Sequence, residues 1–360
     1  MSDWMRRIKS ALGLARTEGA GERWTDPLRR FIATGRQELY REAWSNCADD
    51  RLRGLLVALD HPSSEAFTDA ACYAQKLRES GHREQAGALW LFAALPAATA
   101  ISAPGTPPPD PERTLPSICF AAAQWARDLN FRECQAYFED ALGRHARACG
   151  DLDGAYRYLS SALGILRELA GAEPELYAVT LARALHAWGK LHWDRGEPST
   201  AEAVFLEALA RCGKHASNSK RDAAFFAGLL TDNGNLRDAL GDQAGAQQQY
   251  EQALAICDEL SSQHAELIAP LVAGVLNNLA QLHARLGRPE RAQPLFERAL
   301  VLFQQLAAQD AEQFGPHADR LRARLNSLRE PTPPTAPQVR SEQRCPCGSG
   351  QEFSRCHGQA

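Results

Sequence analysis

Leu276-Asn-Asn-Leu-Ala280, Gly287-Arg-Pro-Glu-Arg-Ala292 and Phe296-Glu-Arg-Ala-Leu300 are three pieces of one stretch whose spacing decides the fold. Gly287 divides two runs of helical periodicity, with a small residue, Ala280, seven positions before it. Ala292 and Phe296 follow five and nine positions after it. Glycine is the residue that ends a helix in the left-handed conformation, and Pro289 has the fixed φ that suits the first turn of the next helix. The stretch therefore predicts a helix hairpin.

Working outward, the same arrangement recurs at Gly150, Gly196 and Gly241, so that the four glycines are 46, 45 and 46 residues apart. Each has a small residue seven before it (Gly143, Gly189, Gly234, Ala280) and alanine five after it (Ala155, Ala201, Ala246, Ala292). Each also has a large residue nine after it (Leu159, Phe205, Tyr250, Phe296), followed by Ala-Leu. Small residues let two helix backbones approach closely. The large residue is expected to fill the gap between successive hairpins, so that each hairpin buries its apolar face on the next. Four copies at five shared offsets argue against a helical bundle with coincidental spacing.

These features resemble the tetratricopeptide repeat, over about residues 136–306. The long period, with the run Leu276–Leu300, is similar to the long-helix variety found in kinesin light chains. A degenerate earlier copy surrounds Gly81, with Ala74, Ala86, Trp90 and Ala93 at the matching offsets. The expected fold is all-α, a solenoid of helical hairpins with a small metal-binding knuckle at its C-terminal end.

Composition agrees with a helical chain. Of 360 residues, 44% are hydrophobic and 23% charged, enough apolar content for a sizeable core. A net charge of −4 gives no global attraction to nucleic acid or to anionic membranes. Cys47, Cys72, Cys119, Cys134, Cys149, Cys212 and Cys257 lie singly, with no paired spacing, and read as small buried hydrophobes of a reducing compartment. No signal peptide or membrane span is visible, so a cytoplasmic location is expected.

The chain divides by composition into six parts. Residues 1–20 form an amphipathic segment, with Trp4, Met5, Ile8 and Leu12 on one face; it reads as a surface-seeking or docking helix, or as a helix capping its own domain. Residues 21–102 are a helical region with the degenerate repeat. Residues 103–117 are a proline-rich linker, 118–330 the repeat array, 331–340 a second proline-rich linker and 341–360 the tail.

The tail carries Cys345-Pro-Cys347-Gly-Ser-Gly and Cys356-His357, three thiols and an imidazole within thirteen positions. So short a segment has almost no core, and a bound ion would hold it in one shape. Three thiolates and one imidazole close a tetrahedral shell around Zn²⁺, which points to a structural metal. Iron is the alternative ion, because the same donors suit it. The run Cys-Pro-Cys-Gly-Ser-Gly with the following Cys-His resembles the SEC-C motif of the bacterial preprotein translocase ATPase. The resemblance assigns Cys345, Cys347, Cys356 and His357 as ligands, and implies docking on the ribosome or on a secretion chaperone. Gln351 and Glu352 stand where that motif usually carries lysines, and only Arg355 keeps positive charge. Nucleic-acid binding through the knuckle is the weakest reading, because phosphate contacts need Lys and Arg.

By the geometry of the resembled repeats, a groove is lined by the first helix of each hairpin. The implied groove positions are Arg183, His186, Lys190 and Asp194, then Thr231, Asn235 and Asp238, then Asn277, Gln281 and Arg285. Such donors and acceptors suit an extended peptide segment. His192 and His283 share a repeat position that packs between helices. No phosphate loop, nucleophile elbow, His-Glu-x-x-His or paired carboxylate frame appears. The expected function is thus a non-catalytic adaptor, binding one protein segment in the groove and a second partner through the knuckle.

Overall fold

The structure is a computed structural model that describes residues 115–128, 130–216 and 219–329, together with positions 42 and 98. The segment 1–20, the rest of 21–102 with its repeat around Gly81, most of 103–117, the second linker and the tail lie outside the described residues. Within them all the extended elements are α-helices. In chain order they are α1 (Leu115–Asp128), α2 (Arg132–Ala148), α3 (Leu152–Ala172), α4 (Pro174–Asp194), α5 (Pro198–Gly213), α6 (Lys220–Ala239), α7 (Gln243–Arg285), α8 (Pro289–Gln309) and α9 (Ala311–Arg329).

The repeat glycines make the turns. Gly150, Gly196, Gly241 and Gly287 have φ of 81°, 75°, 88° and 68°, a region that side chains with a Cβ rarely enter. Each turn closes with the same two backbone hydrogen bonds. At the first, Gly150 N–H donates to the Arg147 carbonyl at 3.0 Å and Asp151 N–H to that of Ala146 at 2.9 Å. At the second, Gly196 and Glu197 donate to Trp193 and His192, both at 2.9 Å. This pairing satisfies carbonyls that a helix end otherwise leaves without partners. The next helix restarts in one of two ways. Asp151 and Asp242 accept the N–H groups of Gly154 and Gly245 at 2.8 and 2.9 Å. After Glu197 and Arg288, which make no side-chain cap, a proline opens the helix instead.

Each of the three small residues that are glycine faces the large residue of its own hairpin. A Cβ on Gly189 would come within 2.5 Å of the Phe205 ring, one on Gly234 within 2.7 Å of the Tyr250 ring, and one on Gly143 within 2.5 Å of Leu159. The large side chain thus fills the close crossing within its hairpin, and Phe205 also lines the space between α4 and α6 of successive hairpins. Phe205, Tyr250 and Phe296 are almost wholly buried, each worth about 1.5–3 kcal/mol of apolar transfer. Around Phe205 the core gathers Leu163, Leu166, Tyr177, Leu181, Leu185 and Leu236.

The chain forms two compact units, Met1–Leu271 and Val272–Ala360, and the division falls inside α7. Between the third and fourth glycine turns the pattern asks for a second break, yet α7 runs for 43 residues with Pro270 inside it. The cause is local. Breaks elsewhere fall at Glu173-Pro174 and around Gly213-Lys214, whereas residues 261–269 contain neither glycine nor proline. In the second unit α8 packs on α9, where the Phe303 and His317 rings stack at 5.1 Å.

Candidate functional site

Three residues of α4, Arg183, His186 and Lys190, are three and four apart and so share one helix face. That face meets α6. At its centre stands Asp232, whose Oδ2 lies 2.8 Å from His186 Nε2 and 3.1 Å from Lys190 Nζ. Asn235, one turn on, has its amide nitrogen 3.5 Å from Asp232 Oδ1. Its own Oδ1 accepts the Tyr250 hydroxyl at 2.7 Å. A chain of polar contacts therefore runs from the buried Tyr250 on α7 through α6 to α4.

The electrostatics follow from this packing. Burial pushes the Asp232 carboxyl up, but the hydrogen bond from His186 and the charge of Lys190 outweigh it and hold the group well below the usual carboxylate range. Burial pulls His186 below its ordinary value, against the opposing pull of Asp232. His186 is then a neutral donor to an ionised carboxylate near pH 7. Nearer the start of α4, Arg183 Nη2 lies 3.3 Å from Asp222 Oδ1, and its guanidinium sits 4.6 Å from the Phe225 ring centroid. Burial, with Arg221 and Arg144 nearby, lowers Arg183 to about 10 despite Asp222. On the other side, Arg147 of α2 pairs with Asp194 at 2.7 Å.

Between α4 and α6 lies a cavity of about 320 Å³ lined by Lys190, Trp193, Asp194, Phe205, Asp232, Asn235 and Leu236. Of the groove positions expected from sequence, Lys190, Asp194 and Asn235 line it, and His186 supports it through Asp232. Arg183 pairs with Asp222 instead, and Asp238 is half-buried. Thr231 departs from the expected exposed lining: it is buried, and its hydroxyl donates to the Ala227 carbonyl at 2.8 Å. The face of α6 turned toward α4 is the one bearing Asp232 and Asn235, one residue further round the helix. Asn277, Gln281 and Arg285 lie on the later part of α7, in the second unit. There Asn277 donates to Asn278 Oδ1 at 3.2 Å, Gln281 is half-buried and Arg285 is exposed.

Asp232 itself is missing from the sequence reading. It stands nine before its turn glycine, where the two preceding repeats place Ala141 and Ala187. A charge where the two preceding repeats carry alanine was the available signal. His192 and His283 are buried as expected, and His192 Nδ1 meets Glu197 Oε2 at 2.5 Å. Hydrogen bonds from His192 and from Arg195 hold the Glu197 carboxyl below its usual range. Cys119, Cys134, Cys212 and Cys257 are buried, and burial pushes their thiols up, to about 12 for Cys119 and about 11 for Cys212 and Cys257. Cys149 is exposed.

Among the described residues no group of three or more His, Cys, Asp or Glu gathers as a metal site, and no helix is long and apolar enough to cross a membrane. The expected ligands Cys345, Cys347, Cys356 and His357 lie outside those residues.

The tetratricopeptide repeat family matches residues 272–310, and the SEC-C motif matches residues 343–359. No curated protein matches the chain. Among solved structures the chain is similar to BtubC (BKLC) from P. vanneervenii, at 18% identity over 92% of this chain and 96% of that one, with a TM-score of 0.41. It is also similar to a Podospora anserina protein assigned as a kinesin light chain with nearly identical TPR-like repeats, at 14% identity over 69% and 99%, TM-score 0.36. A third is a Rap protein complexed with Competence and Sporulation Factor, at 14% identity over 90% and 100%, TM-score 0.42. The chain therefore carries a tetratricopeptide-like repeat fold with a SEC-C motif at its C-terminal end.

Proposed function

We propose that this chain is a non-catalytic interaction scaffold acting in the cytoplasm, binding a protein segment on the face shared by α4 and α6. Repeat folds of this kind generally mediate protein–protein interaction. The supporting observation is the cavity of about 320 Å³ with Trp193 at its wall and Lys190, Asp194 and Asn235 around it. Its size lies at the lower end of the range of ligand sites, and its mix of one aromatic wall with fixed donors and acceptors suits a side chain and the backbone that bears it. The 45–46-residue period supports reading the repeats as the long variety found in kinesin light chains.

The tail would add a second docking element. Its donor set of Cys345, Cys347, Cys356 and His357 fits Zn²⁺ as a closed structural site, with iron as the alternative. Joined by the proline-rich segment 331–340, the two elements would engage one assembly with a gain in avidity. The SEC-C match also favours a second reading, in which the tail visits the ribosome or a secretion chaperone.

Affinity capture with the intact chain, with a chain ending at Glu330 and with Trp193→Ala separates these roles. Partners of the groove are lost from Trp193→Ala and retained by the truncation; partners of the tail show the reverse. If no partner depends on Trp193, the groove reading fails. Metal analysis of the intact and truncated chains tests the ligands, and equal content in both would refute them. Salt-sensitive co-sedimentation with ribosomes that survives removal of residues 338–360 would refute ribosome docking by the tail.

A further inference from the structure

The charged residues around the cavity are already paired with one another. Lys190 is held by Asp232, which also takes His186, and Asp194 is held by Arg147 of the neighbouring hairpin. With His186 neutral, the two cations and two carboxylates cancel. An entering charged side chain would have to break one of these pairs or lie beside them without a counter-charge, and either is costly in a partly desolvated site.

The walls tell the complementary half. Phe205 and Leu236 form an apolar floor, and the Trp193 indole, 38% exposed, stands open at the side. A large exposed indole beside a buried apolar floor has the composition of an interface anchor site. The volume of about 320 Å³ equals about ten waters' share of liquid, room for one large side chain and part of its backbone. At the rim, Lys190 has three ammonium donors and directs one to Asp232, while Asp194 meets Arg147 through Oδ2 alone. These suit a main-chain carbonyl and a main-chain N–H on either side of the entering residue.

We infer that the α4–α6 cavity takes a large, uncharged apolar side chain of an extended protein segment, and discriminates against acidic and basic residues at that point. The inference rests on the scaffold reading above and specifies the chemistry of its ligand. The self-cancelling pairs act by exclusion, and binding here is nearly independent of salt.

The test is selection from a display library of random twelve-residue segments on the intact chain, with sequencing of the enriched pool. The expected pool concentrates Trp, Phe, Leu or Met at one position with no charge at it. The best segment, synthesised, should lose less than about twofold in affinity between 50 and 300 mM salt. Trp193→Ala, an exposed position, should cost about tenfold, the loss of one anchor. Asp232→Asn leaves Lys190 without its counter-charge, and should draw acidic residues into the pool; Lys190→Met should draw basic ones. Circular dichroism checks that each variant is folded. A charged consensus, with affinity falling tenfold or more in salt, overturns the inference and leaves the scaffold reading standing. A pool with no enrichment over Trp193→Ala overturns both.

Discussion

Replacing Arg183 by methionine should be among the most damaging changes on the groove face that leave the apolar core untouched. Arg183 and Asp222 join consecutive hairpins, with only 18% and 4% of their side chains exposed, and Asp222 Oδ2 also accepts the Ser219 hydroxyl at 2.6 Å. Methionine keeps an unbranched chain against Phe225 but leaves the Asp222 carboxylate buried with Ser219 and the N-terminal end of α6. Removing one partner of a buried pair costs about 3–5 kcal/mol. The helix terminus returns about 0.3–1 kcal/mol to the Asp222 carboxylate, and the pair is long at 3.3 Å, so the lower value applies. About 3 kcal/mol corresponds to a fall of about 6–12 °C in midpoint for a folded region of this size. Thermal denaturation followed by far-ultraviolet circular dichroism gives the measurement, with the midpoint itself as readout because repeat arrays depart from two-state behaviour. Adding Asp222→Asn should recover at least about 1 kcal/mol, since residues in one ion pair are coupled. A loss below about 0.5 kcal/mol for Arg183→Met, or simple additivity in the double variant, would refute the claim that this pair is a desolvated tie between hairpins.

Two further outcomes follow from the same geometry. Gly189→Ala should lower the denaturation midpoint, at a cost of about 1–3 kcal/mol for overpacking against Phe205, while Gly164→Ala, exposed on α3 with nothing near the new methyl group, should raise it by about 0.5–1 kcal/mol; equal effects would contradict the close-crossing account. Both His186 and Asp232 have folded pKa values below their unfolded ones. The stability from His186 is then complete above its unfolded value of about 6.5 and lost as pH falls through the folded one, while that from Asp232 is lost only below about 3.9. Urea midpoints at pH 7 and pH 5 should therefore fall less in His186→Gln than in the parent, and an unchanged difference would remove His186 from the acid response.

The turns and close crossings were legible because few residue types can stand there: glycine where φ is positive, and glycine or alanine at the small-residue position that faces a large side chain. The polar site was less legible. Arg183, His186, Lys190 and Asn235 could be placed on a face by counting from the glycines, but a count good to one residue cannot choose between Thr231 and Asp232, which differ by about 100° around the helix. The unbroken α7 also escaped the repeat pattern, because regular spacing marks where a hairpin should end and says nothing of whether a breaker residue is present there. Pairing partners such as Arg147 with Asp194 lie 47 positions apart, and only the packed hairpins bring them together.

The ladder of pairs from α2 to α4 and from α4 to α6 has a consequence for how such an array can change. Glycine turns, and crossings of a large side chain on a small residue, recur within each hairpin, so duplication or excision of a 45–46-residue block would leave these features in register. The charges would not tolerate it. Arg147 is matched to Asp194, Arg183 to Asp222 and Lys190 to Asp232, each across a junction, so a shuffled block would confront residues chosen for another neighbour. The interior makes the blocks interchangeable, while the ion pairs give them an order.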